Sequence, residues 1–245
     1  MEITAEKIMQ QLSAGTQVAG VIAVFGEEGY YKDKIAAALP RAVFGDAAPE
    51  DREITVFERD TDIKEVSAAV NTYPFFSGRS LVIIKDEKLW GGKDGGEKRK
   101  QQQEELAELL ADVPEHCQVL LLGEKIDKRG KLYKSLLKTA AMVECKSLKS
   151  YQLKPWLDEQ AALRGCRFDY EASQTIMEYL SVTDNAPLLL LEQEIEKLSV
   201  YAGERKIWTK DDIEQTFAAL PEVSRFALLN AIAEKKLGQT LELLG

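Results

Sequence analysis

Short apolar runs alternate with longer amphipathic stretches over the first 147 residues. Residues 18–25 form an apolar run that reads as a buried strand, and a helical pattern follows from residue 30 to 44. The alternation continues with strands at 53–57, 80–85, 118–122 and 142–145, and helices at 62–71, 101–111 and 131–138. Runs such as Leu81-Val82-Ile83-Ile84 are apolar at every position, which suits strands covered on both faces. Strands alternating with helices predict a parallel, doubly wound α/β sheet. The glycine-rich segment 91–96, followed by Lys98-Arg99-Lys100, reads as an exposed insertion.

Beyond Leu148 the period changes to that of helices alone. One helix is expected to start at Pro155, a position proline tolerates in a first turn, and to run to about residue 164. Others are expected at 171–181 and at 185–202, the latter stopped by Gly203. Thr209, with Asp212 three residues on, opens a fourth. Past Pro221, residues 226–236 begin a further amphipathic helix, and the sequence ends on Leu241-Glu242-Leu243-Leu244-Gly245, as if inside another helical domain. The expected division is an α/β domain at 1–147, a small helical domain at 148–220 and the start of a truncated helical domain at 221–245.

Composition narrows the function. Hydrophobic residues make up 45% of the 245, enough for a sizeable core, and no apolar run reaches the roughly 18 residues of a membrane span. Met1 leads into Glu2 and Glu6 rather than a basic, then apolar, leader, so no secretory signal is expected and the reading is cytoplasmic. Cys117, Cys145 and Cys166 are far apart and odd in number, which suits reduced thiols better than disulfides or a metal site. A formal charge of −9 argues against a free-standing nucleic-acid binder but not against a local basic patch. The single histidine, His116, lies in a turn with no cysteine or histidine at metal-ligand spacing beside it. It removes most general-base schemes, and no cofactor, metal or catalytic residue is expected.

The first strand runs into Gly26-Glu27-Glu28-Gly29 and then a helix, the setting of a phosphate-binding loop of pattern GxxxxGK[ST]. Counting from Gly26, Tyr31 takes the second glycine, Lys32 the lysine and Asp33 the hydroxyl position. Tyr31 would block close approach of a phosphate, Asp33 puts an anion where magnesium needs a hydroxyl, and Glu27 and Glu28 repel a polyanion. Gly26, Gly29, Tyr31, Lys32 and Asp33 therefore read as a degenerate loop. The segment Leu81 to Glu87 is similar to a magnesium-binding strand end, but reads as a buried strand ending in a solvated charged loop.

Two further segments leave alternatives open. Tyr73-Pro74-Phe75-Phe76-Ser77-Gly78-Arg79 follows an amphipathic helix that presents Ile63, Val66 and Val70 on one face. Phe75 and Phe76 are either packed under that helix or exposed as an aromatic anchor for a protein partner. Lys125, Lys128, Arg129, Lys131, Lys134 and Lys138 concentrate positive charge, either as a solvated helix face or as a contact for nucleic-acid phosphates.

Taken in order, several segments resemble the delta subunits of the bacterial DNA polymerase III clamp loader. They are Phe25 to Tyr31, Phe75 to Ile84, Leu157 to Gly165, Glu194 to Gly203, Thr209 to Gln215 and Arg225 to Lys236. The resemblance implies an AAA+-like architecture: a RecA-type parallel-sheet domain, a helical lid and a helical collar that holds a pentamer together. It implies a subunit that does not hydrolyse ATP, belongs to the polymerase holoenzyme of the bacterial replisome, and opens the ring-shaped beta sliding clamp. The partners implied are that clamp, the ATPase tau/gamma and delta-prime subunits and, through the complex, primer-template DNA, with no membrane. The family's hydrophobic clamp contact maps onto Phe75 and Phe76, flanked by Tyr73 and Pro74. The competing readings are an active P-loop ATPase and a DNA-binding adaptor that uses the basic face.

Overall fold

The computed structural model describes residues 1–16, 18–90, 96–180 and 187–217. They form two compact units, Met1–Lys146 and Ser147–Gly245, the second described through residue 217. The expected helix at 226–236, the segment assigned to a third domain and most of the glycine-rich insertion lie outside the described residues.

The first unit opens with two elements beyond those expected, strand β1 (Glu2–Ile3) and helix α1 (Ala5–Ser13). Both are short; α1 buries Ala5, Ile8 and Leu12 along one face, and the Thr4 side chain caps it. Then come β2 (Val21–Phe25), α2 (Gly29–Phe44), β3 (Glu53–Phe57), α3 (Ile63–Asn71), β4 (Ser80–Ile84) and the short α4 (Glu87–Trp90). The unit closes with α5 (Glu97–Leu109), β5 (Cys117–Gly123), α6 (Lys131–Thr139) and β6 (Ala141–Glu144). Helix α5 starts four residues before its expected position, carried by strong helix formers in its first turns.

The six strands make one parallel sheet in the order β1-β6-β2-β5-β4-β3. Every residue of β2 and β4 is buried, as expected for strands covered on both faces. Alternate side chains serve opposite layers. Val21, Ala23, Phe25, Val82, Ile84, Val119 and Leu121 pack with α3, α5 and α6 in one core. The intervening residues, among them Ile22, Val24, Leu81 and Leu120, are equally buried, and α1 packs on α2, which meets β4 and β5. Strand β3 lies at the sheet edge and is correspondingly the most exposed.

The second unit contains α7 (Ser150–Leu163), α8 (Tyr170–Leu180), α9 (Leu188–Ala202) and α10 (Lys210–Thr216). It is not wholly helical: Arg167–Phe168 (β7) and Ile207–Trp208 (β8) pair in parallel and bring the Phe168 and Trp208 rings to 5.1 Å. Helix α7 begins five residues before Pro155, which therefore sits inside it rather than in its first turn. The first turn survives because Gln152 Oε1 accepts the Lys149 N–H at 3.0 Å and because Leu153, Trp156 and Leu157 are buried. Gly203 ends α9 at φ 59°, the backbone conformation that glycine adopts without penalty.

Candidate functional site

The tip that follows α3 is built by the end of that helix. Asp62 caps its start by accepting the Lys64 N–H at 3.0 Å, while Ile63, Val66 and Val70 fasten it to the core. At its end, Thr72 Oγ1 donates to the Ala68 carbonyl at 2.7 Å and the backbone turns extended. Pro74 forbids continuation, since the residue before a proline is pushed out of helical geometry. Pro74 is itself buried, and the next two side chains point outward: Phe75 is 87% exposed and Phe76 68%. Their rings meet edge to face at 5.0 Å. Neither is packed under α3.

Three contacts hold the tip from beneath. Tyr73, itself exposed, lies with its ring centroid 5.1 Å from that of His116, so this half-buried histidine serves as a shelf. Ser77 Oγ donates to the Arg79 carbonyl at 2.7 Å, and Gly78 takes φ 66° to turn the chain into β4. Glu53 Oε1, at the start of β3, accepts the Phe75 N–H at 2.5 Å and the Phe76 N–H at 3.0 Å. No sequence signal marks Glu53: it is one acidic residue at the head of an edge strand, 22 positions from its partner.

The glycine turn has a different geometry from the one expected. Tyr31 does not fill the loop; it is buried, edge to face with Tyr30 at 5.1 Å. Instead, Glu28 caps α2, its carboxylate accepting the Tyr30 N–H at 2.9 Å. Burial pushes the Glu28 pKa up, opposed by that hydrogen bond and by the Lys32 ammonium nearby. Lys32 Nζ donates to the Gly26 carbonyl at 2.8 Å. A helix N-terminus suits an anion, and here a carboxylate of the same chain takes that place. Asp33 is exposed on the flank of α2, and Gly29 has open space around it. Gly26 is needed for packing: at φ 131° its missing Cβ would lie 1.9 Å from the Cys145 carbonyl oxygen.

The end of β4 also departs from expectation. Asp86 is not solvated but 4% exposed, and its carboxylate accepts the Thr61 N–H at 2.9 Å, fastening the loop that leads into α3. Lys85 is the solvated partner, in an ion pair with Glu58 at 3.1 Å. Among the described residues, no group of three or more His, Cys, Asp or Glu side chains is placed to hold a metal ion. Cys117 and Cys145 are buried free thiols, and desolvation pushes the Cys145 thiol up to about 12. Cys166 is free and half-buried.

Helix α6 turns Leu132, Tyr133 and Leu136 inward and presents Lys131, Lys134 and Lys138 outward along one stripe. Half of the basic cluster is already neutralised. Lys128 pairs with Glu144 at 2.8 Å, Lys131 with Glu104 at 2.6 Å, and Arg129 with Asp127 at 3.8 Å. Lys125, Lys134 and Lys138 have no ion pair among the described residues. Glu144 is desolvated by burial, but its bonds to the Lys128 and Lys146 ammoniums outweigh that and hold its pKa below the usual carboxylate range.

Comparison with known proteins bears on this arrangement. The family described as "DNA polymerase III, delta subunit" matches residues 25–146, which include both the glycine turn and the aromatic tip. The DNA polymerase III subunit delta of Bacillus subtilis (strain 168) is 28% identical over 230 residues, covering 93% of this chain and 65% of that protein. The chain thus spans about two thirds of its relative's length. Among solved structures, the Bacillus subtilis DNA clamp loader delta protein superposes with a TM-score of 0.73 at 25% identity, over 98% of this chain and 70% of that one. Over nearly its whole length, in sequence and in fold, the chain is similar to the delta subunits of the DNA polymerase III clamp loader.

Proposed function

We propose that this protein binds the beta sliding clamp through Phe75 and Phe76 and helps to open the ring for loading onto primed DNA, without hydrolysing ATP itself. The observation that carries this reading is the adjacent pair of exposed phenylalanines at the end of α3. A soluble surface gains nothing from two large apolar side chains in water, whereas burying each in a partner's pocket yields about 1.5–3 kcal/mol. Aromatic anchors of this kind dominate interface energetics. Opening follows from differential binding: a wedge favours the sprung ring only to the extent that it grips that state better than the closed one. Tyr73 and Pro74 form the shoulder of the wedge.

The degenerate loop supports a passive role in ATP chemistry. A nucleotide phosphate entering there would have to displace the Glu28 carboxylate from the α2 N-terminus and recruit Lys32 away from the Gly26 carbonyl. In this reading ATP acts on the tau/gamma subunits, and delta-prime and the ATPases complete the loader around this chain. Titrating the sliding clamp against wild type, Phe75→Ala and Phe76→Ala tests the proposal. Loss of affinity in folded variants supports it, and unchanged affinity in both sinks it.

A second, compatible reading rests on Lys125, Lys134 and Lys138, exposed and without ion pairs among the described residues. They lie on or just before α6 and would meet primer-template phosphates in the assembled loader. Lys128, Arg129 and Lys131 contribute less because carboxylates already face them. Replacing Lys134 and Lys138 with alanine should flatten the salt dependence of DNA binding by the loader, since each lost phosphate contact reduces counterion release.

A further inference from the structure

Two rings at a loop tip bind well only if the backbone beneath them is already ordered, because freedom lost on docking is subtracted from affinity. Residues 73–77 belong to no helix or strand. The two phenylalanines nevertheless have partners for their backbone N–H groups, and both converge on a single oxygen, Glu53 Oε1, at 2.5 and 3.0 Å. Hydrogen bonds to an ionised acceptor are shorter and stronger than neutral ones. Two successive N–H groups pointing at one anion also restrict both residues at once.

The residue that carries the carboxylate has its backbone fixed in the sheet. Glu53 opens β3, where it lies in register with Ser80, the first residue of β4. The tip is the segment that enters β4, so this side chain ties the tip to the strand pair that bounds it. A half-buried glutamate at the head of a mostly exposed edge strand thus has a structural partner in the aromatic pair rather than in its own strand.

We infer that Glu53 is the positioning residue of the Phe75–Phe76 wedge: it touches no partner but sets the backbone from which both rings project. The inference rests on the clamp-binding reading. Glutamine keeps the side-chain length and an acceptor oxygen but loses the charge, and alanine loses the acceptor altogether. Glu53→Ala should therefore weaken clamp binding by about three- to tenfold through lost preorganisation. Glu53→Gln should restore most of that loss.

The experiment compares clamp titrations of wild type, Glu53→Ala, Glu53→Gln and Phe75→Ala/Phe76→Ala, with thermal melting of each and amide hydrogen exchange at residues 75 and 76. Support is a graded affinity, wild type over Gln over Ala, with faster exchange at both amides in the alanine variant and little change in melting. Wild-type affinity and exchange in Glu53→Ala, while the double phenylalanine variant fails to bind, overturns the inference and leaves the clamp-binding reading standing. Undiminished binding by the double phenylalanine variant overturns both. Should Glu53→Ala not fold, Glu53→Met decides, since it keeps the side-chain length without an oxygen to accept the two N–H groups: wild-type affinity together with wild-type exchange overturns the inference, and weaker binding with faster exchange at both amides supports it.

Discussion

Phe75 and Phe76 differ from every other phenylalanine described here in facing water, and this separates their effects on binding from their effects on stability. Replacing either with alanine should cost about 2 kcal/mol or more of clamp binding, the scale of an interface anchor. The thermal midpoint should hardly move, because an exposed ring contributes little to the core. The reverse pattern, a drop of about 3–5 kcal/mol in stability with clamp affinity preserved, is what a core phenylalanine gives and would place the wedge elsewhere. Gly26 is the opposite case, a residue defined by what cannot be there. With φ 131° and a Cβ position 1.9 Å from the Cys145 carbonyl oxygen, Gly26→Ala must move β2 relative to β6 or distort the turn. A loss of at least about 2 kcal/mol in urea unfolding is expected, the scale of backbone strain plus overpacking.

Among the elements, α10 is the clearest case of a helix held by its own start. Asp212 is nearly inaccessible; its Oδ2 accepts the Thr209 N–H at 2.9 Å, and Arg205 Nη1 donates to its Oδ1 at 2.7 Å. Burial pushes its pKa up, but the Thr209 N–H and the Arg205 guanidinium outweigh burial and hold the carboxyl below its usual 3.8. A depressed folded pKa means that the unfolded chain takes up the proton first. The contribution is therefore complete above the unfolded value and is lost as pH falls through the lower folded one. Acid titration of the second unit should show this loss below about pH 4. Asp212→Ala should remove it and cost about 1–2 kcal/mol at neutral pH, as expected for a helix cap with a partner. A flat acid profile in wild type, or an alanine variant as stable as wild type at pH 7, would contradict this account.

For the whole molecule, the prediction concerns nucleotide. A parallel sheet with a strand, glycine turn and helix in the usual order has the architecture of a nucleotide site, yet its own carboxylate and lysine contacts occupy the loop. Calorimetry with Mg-ATP should detect no micromolar binding, and Mg-ATP should leave the melting temperature unchanged, since a ligand stabilises only the state that it binds. Micromolar binding would revive the ATPase reading.

How much of this was legible in the chain differs by level. The strand–helix alternation, the change to helices after residue 148, the failed phosphate loop and the aromatic pair between a proline and a Ser-Gly turn are all local patterns. Local patterns survive because periodicity, turn chemistry and motif spacing are properties of neighbouring residues. β1 and the β7–β8 pair leave no pattern because two-residue strands carry too few periodic positions, whereas α1 has Ala5, Ile8 and Leu12 at the same spacing as Ile63, Val66 and Val70 in α3 and was legible in the chain. Helix α7 starts five residues before Pro155 because burial of Leu153, Trp156 and Leu157 outweighs the preference of proline for a first turn. Only the tertiary structure decided that Phe75 and Phe76 face water, that Tyr31 turns into the core, that Asp86 is buried against Thr61 and that Glu53 grips the tip. Each of these depends on which side of a packed layer a side chain meets, or on register between segments more than twenty residues apart. No window of sequence contains that information, because parallel strands are brought side by side by crossovers and not by proximity along the chain.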